Sequence, residues 1–181
     1  MQRRQPLPRL WLMTDERQGE SLWEALERLP RGAGIVFRHY GLPAVERRRL
    51  FARVRKVARR KRLLLLGAEM RFLGADGVHN GCGRAAFRTA SAHNHAELKA
   101  AERGGAALVF LSPVFSTRSH PGGKPLGRVR FGLLARRARI PIIALGGMNS
   151  RRWRSLKALG AYGWAGIDAW SADQKWKAVP I

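Results

Sequence analysis

The sequence predicts an α/β protein: a single parallel (βα)8 barrel of the TIM type, small and partly degenerate. Three observations carry that expectation. Short apolar runs recur along the chain, each bounded by turn residues, as buried parallel strands are. Stretches with helical spacing separate most of these runs, the alternation a parallel sheet requires. Eight such runs can be counted, and no G-x-G-x-x-G follows the first, as it would in an open dinucleotide-binding sheet.

Leu10–Met13 is the first strand and ends at Thr14–Asp15; Leu22, Trp23, Leu26 and Leu29 then repeat at helical spacing. Gly34–Phe37 is the second. After it, ten basic residues lie between Arg47 and Arg62, interleaved with Leu50, Phe51, Val54, Val57 and Ala58. That pattern gives one apolar face and a basic outer surface. Leu63–Leu66 is the third strand, and Gly74–Ala75–Asp76 leads into a short fourth, Gly77–His79. The linkers around Gly67–Gly74 and Asn80–Arg88 leave little room for full helices. Arg88–Ala92 is the fifth strand, followed by an Ala-rich helix from Asn94 to Arg103. Leu108–Leu111 is the sixth; the loop Thr117–Gly127 and a basic spacer follow it. Ile142–Leu145 is the seventh, and Ser150 is read as the cap of a helix carrying Trp153, Leu156 and Leu159. Tyr162–Ile167 is the eighth. One domain over residues 1–181 is expected, ending in a short loose tail, SADQKWKAVPI.

Composition narrows the partners. Hydrophobic residues make up 45% of the 181, a globular proportion. No apolar run approaches the ~18 residues of a membrane span, and the N-terminus has no apolar core long enough for a signal peptide. The single Cys82 excludes an intramolecular disulfide and fits a reducing, cytoplasmic setting. Lys and Arg number 35 against 12 Asp and Glu, a net charge of +23. That excess suits an anionic partner. The absence of zinc-finger spacing, an RRM aromatic signature or a GXXG loop argues against a dedicated nucleic-acid protein and for solvated basic helix faces.

The residues just past the strand ends are where such a barrel keeps its chemistry. Gly146 and Gly147 follow the seventh strand and precede a helix, so their backbone can approach an anion closely. Arg38 stands at the end of the second strand and suits a phosphate clamp. Thr117, Ser119 and His120 follow the sixth, with Arg118 and Lys124 nearby. Ser91 and His93 end the fifth; a hydroxyl and an imidazole there suit substrate contact or proton transfer. The turn at Gly166–Ile167 offers a second set of backbone donors.

Seven segments, in order, resemble thiamine phosphate synthase and its thiazole-tautomerase-like relatives, a (βα)8 superfamily. They are LWLMTDER, VFRHY, GADGVH, SAH, LSPVFSTRSHPGGKPLG, IPIIALGGM and GAYGWAGIDA. The resemblance implies joining of a pyrimidine diphosphate to a thiazole phosphate with release of pyrophosphate, and Mg²⁺ at the leaving group. It implies that Arg38, Ser91, His93, Thr117, Ser119, His120, Gly146, Gly147 and Ile167 contact a phosphorylated small-molecule ligand. Several positions depart from the family. In the Gln-x-Arg-x-Lys strand end only Arg38 is kept, with Val36 and Tyr40 at the other places. His120 replaces a Lys. Pro113 stands where the tautomerase branch has its His. The third strand is followed by Glu69 rather than Asn-Asp, and NGCGR after His79 holds no acid. Asp168 stands where a Ser often lies, and a carboxylate there repels phosphate unless paired with Arg. No metal ligand is assigned, and Mg²⁺-dependent turnover is expected to be weak or absent. The alternatives are a catalytically silent phosphate-binding barrel and a basic nucleic-acid-binding protein; a homodimer is left open.

Overall fold

The computed structural model describes residues 6–70, 72–81, 85, 87–117 and 124–170. Eight parallel strands close into a barrel in sequence order: β1 (Leu10–Met13), β2 (Gly34–Phe37), β3 (Leu64–Ala68), β4 (Gly77–His79), β5 (Arg88–Ala92), β6 (Leu108–Leu111), β7 (Ile142–Ala144) and β8 (Gly163–Gly166). Closure is made by β1 and β8, with Leu10 opposite Trp164 and Leu12 opposite Gly166. Helices α1 (Ser21–Arg28), α2 (Ala44–Lys61), α3 (His95–Arg103), α4 (Gly127–Arg137) and α5 (Ser150–Lys157) follow β1, β2, β5, β6 and β7. A 3-10 turn, Asp168–Trp170, follows β8. Among the described residues no helix follows β3 or β4, as their short linkers predict.

The strand pleat divides the core in two. Trp11, Met13, Val36, Leu66, Phe110 and Ile143 fill the inside of the barrel. Leu12, Ile35, Phe37, Val109, Ile142 and Trp164 point outward onto Leu26, Phe51, Val54, Leu98, Phe131 and Leu156 of the helices. Trp11 meets Phe110 edge-on at 5.2 Å. The indole leaves no room across the barrel: a Cβ on Gly34 would lie 2.2 Å from it. A large inner Trp is therefore accommodated by a missing side chain on the neighbouring strand.

Three strand boundaries and three helix readings differ from the sequence expectation; α3 begins at His95, with Asn94 as its cap rather than its first residue. β3 begins at Leu64 rather than Leu63 and runs on to Ala68, because Gly67 pairs with Phe37 and Ala68 with His79. β7 stops at Ala144; the Leu145 carbonyl turns to accept from Val114 N. β8 is Gly163–Gly166, shorter at both ends than 162–167. The basic spacer is helix α4, which buries Phe131, Gly132 and Ala135 on one side and leaves Val129 and Leu133 exposed. The cap of α5 is Asn149, whose side chain accepts from Arg152 N, and Ser150 is the first helical residue. Asp76 ties the entry of β4 to β3: its carboxylate accepts from Leu65 N at 2.8 Å and its own N–H donates to Leu65 O at 2.9 Å. The expected tail, 171–181, lies outside the described residues.

Candidate anion site at the barrel mouth

At the C-terminal ends of the strands lies a cavity of about 540 Å³. Arg38 enters it from the end of β2. Ser112, Ser116, Thr117 and Lys124 come from the segment after β6, and Gly146, Gly147, Asn149 and Arg152 from the β7 turn and α5. Ile167 and Asp168 follow β8, and His93 follows β5. Three side chains of fixed positive charge, Arg38, Lys124 and Arg152, thus face one carboxylate on the wall.

Arg38 is the most firmly built of these cations. Its backbone N–H donates to Thr14 Oγ1 at 3.0 Å, Nε donates to Thr14 O at 3.0 Å, and Nη2 donates to Asp15 Oδ2 at 2.7 Å. Arg17 grips the same carboxylate, Nε to Oδ1 at 2.7 Å and Nη2 to Oδ2 at 3.1 Å. Burial of Asp15 opposes its charge. The hydrogen bonds from Arg17 and the charges of Arg17 and Arg38 outweigh that and hold its carboxyl below the ordinary value. Two of the five side-chain N–H groups of Arg38 are spent on the protein among the described residues, so three remain for a ligand.

The β7 turn needs its glycines for more than one reason. Gly146 has φ +94° and Gly147 φ +60°. A Cβ on Gly146 would lie 2.8 Å from Pro113 Cα, and one on Gly147 2.6 Å from the Ser116 carbonyl oxygen. The turn is thus packed against the segment after β6, where Phe115 N donates to Gly146 O at 3.1 Å. It is a tight turn and a cavity wall at once.

Of the residues singled out by sequence, Arg38, His93, Thr117, Gly146, Gly147 and Ile167 share this cavity. His93 is held by Glu97, which accepts from both its N–H and Nδ1 at 2.8 Å; those hydrogen bonds lower the Glu97 carboxyl. Ile167 offers its carbonyl to Gln18 Nε2 at 3.1 Å, joining the β1 and β8 ends. Ser91 is not on the wall. Its hydroxyl lies 3.1 Å from His79 Nε2 and accepts from Asn80 Nδ2 at 3.3 Å, while His79 Nδ1 lies 2.9 Å from Thr89 Oγ1. Burial, with the Arg38 charge adding to it, lowers His79 to about 3, so the ring is neutral. Each ring nitrogen of the neutral His79 thus meets one hydroxyl, one nitrogen as donor and the other as acceptor. Ser119 and His120 lie outside the described residues. Sequence reasoning gave no role to Asp15, Asn149 or Arg152. Asp15 had a signal, a carboxylate just past a strand end; Arg152 was one Arg among many.

The donors among the described residues do not form an all-protein metal cage. Among the described residues no group of three or more His, Cys, Asp and Glu is placed to hold an ion. Asp15 is already shared by two guanidinium groups, and Mg²⁺ requires oxygen ligands free to face it.

Known proteins resemble this chain over most of its length. A family model described as thiamine monophosphate synthase matches residues 10–170. The putative thiamine-phosphate synthase 2 of Aquifex aeolicus (strain VF5) is 35% identical over 185 residues, covering 89% of this chain and 96% of that protein. The thiamine biosynthesis bifunctional protein ThiM/ThiE of Symbiobacterium thermophilum is 32% identical over 152 residues, 75% of this chain and 32% of that protein. Among solved structures, a thiamine phosphate pyrophosphorylase from Pyrococcus furiosus superposes with a TM-score of 0.76 at 26% identity, covering 90% of this chain and 86% of that one.

Proposed function

Because the chain belongs to the thiamine monophosphate synthase family, we propose that its cavity joins a pyrimidine diphosphate to a thiazole phosphate. The carbon–oxygen bond to the diphosphate breaks, and its electron pair leaves with pyrophosphate. The thiazole ring nitrogen supplies the pair for the new carbon–nitrogen bond. The observation that carries this reading is the placement of Arg38, held on Asp15 and Thr14, in one cavity with the β7 glycine turn.

The reaction asks for two things from the protein. One is neutralisation of charge that grows on the leaving diphosphate as the bond breaks. Arg38 meets that need from a preset position, and a guanidinium binds phosphate oxygens bidentately without a metal. The other is an anchor for the phosphate of the second substrate, which the lining from the β6 and β7 ends offers around Gly147 and Lys124. Mg²⁺, which the family resemblance implies, meets no group of three or more ligating side chains among the described residues, and no step is assigned to it. The ligand is a phosphorylated small molecule and the setting cytoplasmic; among the described residues no helix is long and apolar enough to cross a membrane. The test is turnover of the two precursors with and without a chelator. Slow product formation that survives the chelator and disappears in Arg38→Ala supports the reading. Failure of wild-type protein to bind inorganic pyrophosphate overturns it.

A further inference from the structure

Resting on that reading, we infer that Arg152 is a phosphate-binding residue of this cavity, serving the phosphate monoester of the second substrate. Helix α5 sets Arg152 at its third residue, on the cavity wall. The guanidinium is positioned before any ligand arrives. Its Cζ lies 4.6 Å from the centre of the Phe115 ring, and Nη1 donates to the Gly147 carbonyl. Cation–π stacking and that hydrogen bond tie down a side chain that would otherwise lose much rotamer entropy on binding. One of its five side-chain N–H groups is spent among the described residues, which leaves an open fork for phosphate oxygens.

Asp168 is on the same wall and interacts electrostatically with Arg17; a further cation beside it favours a phosphate there. The α5 N-terminus cannot offset the Asp168 charge with all its amides, since Arg152 N is already taken by the Asn149 side chain. A Cβ on Gly147 would come within 2.9 Å of Arg152 Nη1, so the guanidinium lies directly on the glycine turn. The turn is thereby read as the seat of Arg152 as much as an anion cradle of its own. With Lys124, Arg152 leaves the β6–β7–β8 side of the cavity net positive despite Asp168.

The experiment is a titration with inorganic phosphate, followed by calorimetry and by the Arg Nε–H and Gly147 amide NMR signals. Wild-type protein is expected to show a shift of the Arg152 Nε–H signal. Arg152→Ala is expected to bind phosphate about tenfold more weakly, the loss of a charge-assisted contact. Arg152→Lys, which keeps the charge without the fork, is expected to fall between them. Arg151→Ala, an exposed neighbour on α5 away from the cavity wall, is expected to match wild type. An unmoved Arg152 signal, or equal phosphate affinity in Arg152→Ala and Arg151→Ala, overturns the inference. If pyrophosphate binding that depends on Arg38 persists in that case, only this inference falls; if wild-type protein binds neither anion, the proposed function falls with it.

Discussion

Replacing Asp15 by Asn removes the charge that two guanidinium groups share while keeping a side-chain oxygen for them. The cost follows from exposure. Pairs in full solvent contribute at most about 1 kcal/mol, whereas breaking a buried pair costs about 3–5 kcal/mol. The Asp15 and Arg38 side chains are 16% and 20% exposed, and Arg17 is 51% exposed. Asp15→Asn should therefore lower stability at neutral pH by about 2 kcal/mol, between those limits, as read by urea unfolding. The sign with pH is set by the lowered carboxyl. Its folded pKa lies below the unfolded one, so the stabilisation is present in full above the unfolded value, near ~3.9, and is lost as pH falls through the folded pKa. Wild type and Asp15→Asn should differ by a constant amount above about pH 4 and converge below it. Binding should move the opposite way. With one negative charge gone beside Arg38, inorganic pyrophosphate should bind roughly fivefold more tightly at low salt, an advantage that added salt screens. Equal stability together with equal pyrophosphate affinity would refute the coupling of Asp15 to Arg38.

Two further outcomes test the framework beneath the site. Gly34→Ala places a Cβ 2.2 Å from the Trp11 indole inside the barrel, so unfolding free energy should fall by about 3 kcal/mol, the upper end of typical overpacking; a loss below about 0.5 kcal/mol contradicts the packing described. His79 has a folded pKa of about 3 against an unfolded value near ~6.5, so between them the unfolded chain binds more protons and stability rises as pH rises across that window. His79→Gln should flatten that part of the profile, and an unchanged slope between pH 7 and pH 4 would show that the ring is not held neutral.

The barrel was legible because its strands are short, apolar and punctuated. Gly34–Phe37, Gly77–His79 and Leu108–Leu111 are each bounded by turn residues that the fold uses as turns. Helix α4 was not legible, since Arg128, Arg130, Arg136 and Arg137 interrupt its apolar positions and both Val129 and Leu133 face outward. The strand ends that moved, at Leu64, Ala144 and Gly163, are set by pairing with neighbours rather than by composition. In the site, single residues past strand ends could be read one at a time, which brought Arg38 and Gly147 to the same cavity. What could not be read were the pairings across it. Asp15 reaches Arg38 over 23 residues of sequence, and Arg152 is distinguished from its neighbours only by Phe115 beneath it. Ser91 was read as a substrate contact; its half-buried hydroxyl meets His79 and Asn80, and no local pattern revealed the burial of His79.

The most direct test of the chemistry is formation of thiamine phosphate from its two precursors by pure protein, measured with Mg²⁺, with a chelator, and in Arg38→Ala. Slow turnover that is indifferent to the chelator and absent from Arg38→Ala is the result the proposed function predicts, with Arg38 as its charge-neutralising group and no group of three or more metal-ligating side chains among the described residues. Fast turnover that Mg²⁺ stimulates, that the chelator abolishes and that Arg38→Ala retains would contradict it.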